Sequence, residues 1–187
     1  MRNLLEQEKH EKKKQRNIVV GGIILIALML FSTLGYAFIN QEKENQNEVS
    51  YLGKTFYLSN GYWISQFNSF IFYSSVYPKN LTQINSSLKG INEYLNQPVY
   101  VYSEEENSRF SVYKNLNEIA TRIQDACIKE PCEGDLPLKN CADSKMFIIK
   151  ESNETKVYQA SGCVYIEGQQ EELNSLTNSA IFKVFKT

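Results

Sequence analysis

Histidine is nearly missing from this chain of 187 residues: the single one, His10, stands in the N-terminal seventeen. The remainder therefore cannot hold a Ser-His-Asp or Cys-His nucleophile pair, nor a histidine-ligated zinc hydrolase site. C-x-x-C does not occur, so thioredoxin-type redox chemistry is not signalled. Neither a Walker sequence nor G-x-G-x-x-G is present, and no phosphate cradle is expected. Proline (4) and glycine (9) are sparse while aromatics reach 12%, a balance that excludes a largely disordered chain. There is no internal repeat and no low-complexity tract.

One thing is abundant. From Ile18 to Ile39, 22 consecutive residues carry no charge: IVVGGIILIALMLFSTLGYAFI. As a helix at about 1.5 Å per residue the run covers roughly 33 Å, against a hydrocarbon core of about 30 Å. It reads as a membrane-spanning helix with the lipid bilayer as its partner, since apolar runs of this length are the spanning signal. Residues 1–17 hold six basic and three acidic side chains, net +3, and residues 40–187 hold fourteen basic and eighteen acidic, net −4. Basic flanks stay cytoplasmic. The expected order is a cytoplasmic tail at 1–17, a transmembrane helix at 18–39, a polar linker at 40–50 (QEKENQNEVS closes it) and an extracellular domain at 51–187. A cleaved signal peptide is the rival, with Gly35-Tyr36-Ala37 as a small-x-small site, although the run exceeds the usual signal core.

All four cysteines, Cys127, Cys132, Cys141 and Cys163, fall in the external part. An even number on the oxidising side points to two disulfides. Four cysteines permit three connectivities and the sequence does not choose among them; the favoured pairs are Cys127–Cys132, closing a short loop at a helix end, and Cys141–Cys163, tying two neighbouring strands. Zinc is the alternative, but its signature is two closely spaced ligand pairs, and Cys141 and Cys163 are isolated.

Aromatic and β-branched runs at Thr55–Leu58, Tyr62–Phe67 and Phe70–Val76, broken by turn residues, predict a β-meander. Leu81, Ile84, Leu88, Ile91 and Leu95 recur at helical spacing behind an Asn80/Gln83 capping pattern. Val99–Tyr102 reads as a strand and Glu104–Asn107 as a solvated loop. A second helix is expected from Asn115 through Cys127. Lys145–Lys150 and Thr155–Ile166 read as a hairpin turning at Ser152-Asn153-Glu154. From Glu171 onward, Leu173, Leu176, Ala180 and Val184 favour a helix, with a strand at Ile181–Lys186 as the alternative. The sum is an α+β domain, disulfide-stabilised, with helices on a mixed or antiparallel sheet.

Tyr57, Tyr62, Trp63 and Phe67 belong to an aromatic-rich sheet with rings on both faces. One set is core, and the other is a possible binding surface. The external domain is acidic and has no basic stripe, so nucleic acid is not an expected partner. Asn80, Asn85 and Asn153 open glycosylation sequons. Asp125, Asp135, Asp143, Glu151 and Glu167 are the carboxylates open to an acid-base enzyme. Glu130, Glu133, Asp135 and Asp143 cluster without EF-hand spacing. No metal and no cofactor is expected.

Tyr51-x-Gly53-x-x-Phe56, Trp63, Pro78, Gln97-Pro98-Val99-Tyr100-Val101, and Cys127…Cys132…Leu136-Pro137…Cys141…Cys163-Val-Tyr-Ile-Glu-Gly168 together resemble an uncharacterised family of short single-pass membrane proteins from small-genome (DPANN-type) archaea. The likeness spans most of residues 51–187 and implies a cysteine-containing external domain, with no assigned activity. Members of that family often carry Asp and Tyr in the last helix, where this chain has Asn178 and Phe182. The expected function is a non-catalytic cell-surface binding or assembly module of the cell envelope, with an envelope protein or glycan as partner. The alternatives are a carboxylate enzyme acting on envelope glycans and an accessory subunit of a membrane complex.

Overall fold

The computed structural model describes residues 19–29, 47–132 and 134–187. The chain divides into two compact units, Met1–Gln46 and Asn47–Thr187. In the first, residues 19–29 are helical (α1), and Val19, Val20, Ile23 and Leu25 are all exposed. Among the described residues no helix is long and apolar enough to cross a membrane. Ile18 and residues 30–39 of the expected anchor, the cytoplasmic tail and linker residues 40–46 lie outside the described residues.

The second unit is α+β. Its first sheet, sheet A, is an antiparallel meander of β1 (Glu48–Tyr51), β2 (Lys54–Ser59), β3 (Tyr62–Phe67) and β4 (Phe70–Ser74). The expected three strands are there, and β1 precedes them, starting inside the stretch read as linker. Asn60-Gly61 turns β2 into β3 with both residues at positive φ (50° and 80°). This is the hairpin turn that Asn-Gly favours, because its twist matches that of the strands.

The second sheet, sheet B, runs in the order β6-β5-β7-β9-β8. Its strands are β5 (Pro98–Ser103), β6 (Arg122–Asp125), β7 (Lys145–Glu151), β8 (Lys156–Ala160) and β9 (Cys163–Gly168). β6, β5, β7 and β9 are mutually parallel, and β8 returns antiparallel on β9. The expected hairpin between 145–150 and 155–166 is therefore corrected: the hairpin is β8–β9, and β7 pairs in parallel with β9. The 155–166 stretch, rich in Val, Tyr and Ile on both sides of Ser161-Gly162, reads as one strand and hides its turn there. Gly162 donates its N–H to the Cys141 carbonyl at 2.9 Å, and a Cβ there would collide with the Ser144 carbonyl.

Helices α2 (Glu106–Leu116) and α3 (Gln170–Lys186) lie between the sheets. Phe182 and Phe185 of α3 meet Phe67 and Phe72 of sheet A at centroid distances of 5.4–5.9 Å. The other side of the helix layer packs on Val101, Phe147, Ile149 and Ile166 of sheet B. A smaller core of Tyr100, Ala126, Met146, Ile148 and Cys163 lies on the far face of sheet B.

Both other helix expectations are corrected. The 80–95 stretch is not a helix: only Pro78–Asn80 and Ile91–Glu93 make 3-10 turns. Its Asn, Ser and Thr residues are weak helix formers, and its backbone finds partners elsewhere. Thr82 N–H donates to Ser179 Oγ (2.8 Å), Tyr51 OH and Ser175 Oγ donate to the carbonyls of Leu81 and Asn80, and Lys89 N–H donates to Gln159 Oε1. Leu81, Leu88, Ile91 and Tyr94 still point into the core. The Asn115–Cys127 helix is also absent. A helix ends there at Leu116, and its first turn is the acidic stretch read as loop. Its buried residues are Ser108, Ser111, Val112, Asn115 and Leu116, so most of its inner face is polar and gives no apolar period.

Candidate functional site

Parallel strands β5 and β6 end side by side, and α2 starts directly after β5. The carboxyl ends of parallel strands are where such sheets place ligands. Here a cavity of about 560 Å³ is lined by Ser103, Glu104, Glu106, Arg109, Asp125 and Lys129, among others. A second cavity, about 540 Å³, lies along the exposed side of α2 and is lined by Tyr62, Tyr73, Phe110, Tyr113, Lys114 and Asn117, with Glu118 beside them. Arg109 and Asp125 line both, so the two cavities form one groove divided by an ion pair.

That pair is well made. Arg109 Nη1 meets Asp125 Oδ2 at 2.9 Å, Arg109 Nη2 lies 3.6 Å from Glu106 Oε1, and Tyr113 OH donates to Asp125 Oδ1 at 3.0 Å. Burial, together with the Asp125 carboxylate, pushes the Tyr113 hydroxyl up to about 12. At the head of α2, Glu105 turns its carboxylate onto its own helix and accepts from the N–H groups of Asn107 (2.9 Å) and Ser108 (2.6 Å). Burial opposes its ionisation, yet the bonds from Ser108 Oγ and these N–H groups hold its pKa below the ordinary carboxylate value. The anion position at this helix N-terminus is thus filled from within. Glu104 accepts from Tyr102 OH and from Glu151 N–H, and so pins the β5–α2 loop to the end of β7.

The four aromatic candidates are separated. Tyr57, 54% exposed, and Tyr62 face outward on sheet A, as does Tyr73. Tyr62 and Tyr73 meet edge-on at 6.4 Å, with Lys114 Nζ 4.5 Å over the Tyr73 ring. Trp63 stands edge-on to Tyr77 at 5.2 Å and packs against the main core. Phe67 is corrected as a surface residue: pleat alternation turns it inward among the rings of α3, and it is 5% exposed.

Both expected disulfides are present, Cys127–Cys132 and Cys141–Cys163, with Cα separations of 5.6 and 5.2 Å. The zinc alternative falls with them. Cys127 also lines the first cavity, so its bridge lies at the wall of the groove. Among the described residues no group of His, Cys, Asp and Glu could hold a metal ion. Asn80, Asn85 and Asn153 are all exposed. Of the carboxylates named from sequence, Asp125 lines the groove, while Asp135, Asp143, Glu151 and Glu167 line neither cavity.

Sequence reasoning missed Glu105, Arg109, Phe110, Tyr113 and Lys114, all on or capping one helix. The usable signal was Glu105 before Asn107-Ser108, an acidic cap ahead of a helix, rather than any apolar period. No family model, no curated protein and no solved structure matches this chain.

Proposed function

We propose that this is a single-pass membrane protein, N-terminus cytoplasmic, whose disulfide-bonded α+β domain stands on the outer cell surface as a non-catalytic binding or assembly module. Kinship with the short archaeal anchored proteins belongs to the same proposal, supported by the ordered cysteine and glycine set. The anchor rests on the uncharged run 18–39 and its basic flank, and the outward orientation on two disulfides. The observation that carries the binding role is the groove beside α2. Phe110 faces solvent there and Tyr62, Tyr73 and Tyr113 are half-buried, while its central charges, Arg109 and Asp125, are engaged with each other and Asp125 with Tyr113.

Two measurements test this. Alkaline carbonate extraction of cells should leave the full chain in the membrane, and external protease should remove residues beyond 47. Photo-cross-linking from position 57 or 110 in living cells should capture a protein or glycan neighbour. A chain released by carbonate, or a domain with no neighbour at all, sinks the proposal.

One observation favours a second reading, the carboxylate enzyme acting on envelope glycans: Glu104, Glu106 and Asp125 converge on one cavity. A general acid needs a raised pKa. Among the described residues, the carboxylates that depart from their ordinary value, Glu93, Glu105 and Glu154, all move down. Glycan hydrolysis abolished by Asp125→Asn would establish the enzyme. Stable co-purification in mild detergent with one membrane partner would instead identify an accessory subunit.

A further inference from the structure

We propose that the half of the groove between sheet A and α2 is a binding site for an uncharged oligosaccharide, an inference that rests on the binding-module reading above. Tyr62, Tyr73, Phe110 and Tyr113 line one cavity of about 540 Å³, inside the usual range of ligand clefts. Phe110 is 54% exposed although three other rings share its cavity. The faces of such rings are electron-rich and apolar, which suits the C–H face of a pyranose. Around them stand Asn117, Glu118, Asp125 and Arg109, planar groups that donate and accept as sugar hydroxyls require.

Charge and strand geometry select among ligand classes. The cavity wall carries two cations, Arg109 and Lys114, and two carboxylates, Glu118 and Asp125. Arg109 is bound to Asp125 and lies over one face of Phe110, and Lys114 lies over Tyr73 and Tyr62, which leaves the outer face of Phe110 for the ligand. The balance leaves no net field for a polyanion or a polycation. An extended peptide would dock by adding a strand to a bare sheet edge, and β4 is the edge of sheet A beside this cavity. Asn115 closes it: its Oδ1 accepts from Tyr73 N–H at 2.9 Å and its Nδ2 donates to the Tyr73 carbonyl at 2.8 Å. What remains is a ligand held by rings and side-chain polar groups.

The test is isothermal titration calorimetry of the full chain in detergent micelles. The probes are neutral hexasaccharides of glucose, mannose, galactose and N-acetylglucosamine, with oligogalacturonate and oligoglucosamine as charged controls. At least one neutral hexasaccharide should bind. Phe110→Ala and Asn117→Ala should each weaken binding by about tenfold or more, a change of roughly 1.4 kcal/mol, with Tm unchanged because both side chains are exposed. Lys79→Ala, exposed and lining neither cavity, should retain binding. Binding of charged probes only, neutral binding indifferent to both weakening variants, or no binding across the panel overturns the site. In that event cross-linking from position 110 in cells separates the two failures. A protein neighbour there ends the oligosaccharide site but leaves the binding module standing, and no neighbour ends both.

Discussion

Glu105 and Asn115 do more for this domain than their polar character suggests. Glu105 satisfies two of the orphan N–H groups at the start of α2. Removing such a cap costs about 1 kcal/mol, so Glu105→Ala should destabilise by that amount in urea unfolding at neutral pH. The folded pKa of Glu105 lies below its unfolded value. Its contribution is therefore present above the ordinary carboxylate range and is lost as pH falls through the depressed folded value. The gap between wild type and variant should close in acid, and a gap independent of pH would remove the cap's charge from the account. Asn115 is 3% exposed and pairs with both backbone groups of Tyr73. Asn115→Ala leaves a part-buried N–H and C=O of the edge strand without their partner, at a cost of about 1–2 kcal/mol. An Asn115→Ala protein as stable as wild type would show that the edge of β4 is held another way. In alkaline titration by ultraviolet absorbance, Tyr113 should ionise at about 12. Asp125→Asn should bring it only part of the way back, because burial is the larger cause.

The cysteine pairs act at the scale of elements. Cys141–Cys163 joins the entry of β7 to the start of β9 across a sequence separation of 22, while Cys127–Cys132 spans 5. Loop closure makes the longer bridge worth about 3 kcal/mol and the shorter about 2. Replacing Cys141 and Cys163 together by Ser should therefore lower Tm more than replacing Cys127 and Cys132. The opposite order would place the stabilising role in the wall of the groove. The pairing Cys141–Cys163 was favoured from the sequence, but by a route the fold does not take. A hairpin between 145–150 and 155–166 was expected to bring the cysteines level; instead they meet because β9 runs parallel to β7 with Gly162 against Cys141. The helix α2 was illegible for a physical reason. Its inner face sets Ser108, Ser111 and Asn115 beside only two apolar residues, Val112 and Leu116, and it packs by hydrogen bonding into Asn174, Asn178 and β4 as well as by burial of those two. The 80–95 segment failed in the opposite direction. Its apolar residues do reach the core, but as a strap whose backbone is satisfied by α3, β1 and β8.

At the scale of the whole molecule, the native chain isolated from cells should gain about four mass units on reduction, two per disulfide. Four thiols in the native protein would reverse the proposed orientation. The sequence by itself determined the features carried by local pattern and composition: the uncharged run and its basic flank, the meander with its Asn-Gly turn, the last helix, the α+β class and the expectation of two disulfides, but not which cysteines pair. Tertiary structure alone decided the parallel order of sheet B, the place of α2, the inward turn of Phe67, and the meeting of Phe110, Tyr62 and Tyr73 in one groove. Those features depend on contacts between residues far apart in the chain. Strand order and a polar helix face leave no periodic trace along the sequence, because the partners that satisfy them are supplied only when the sheets close around α2 and α3.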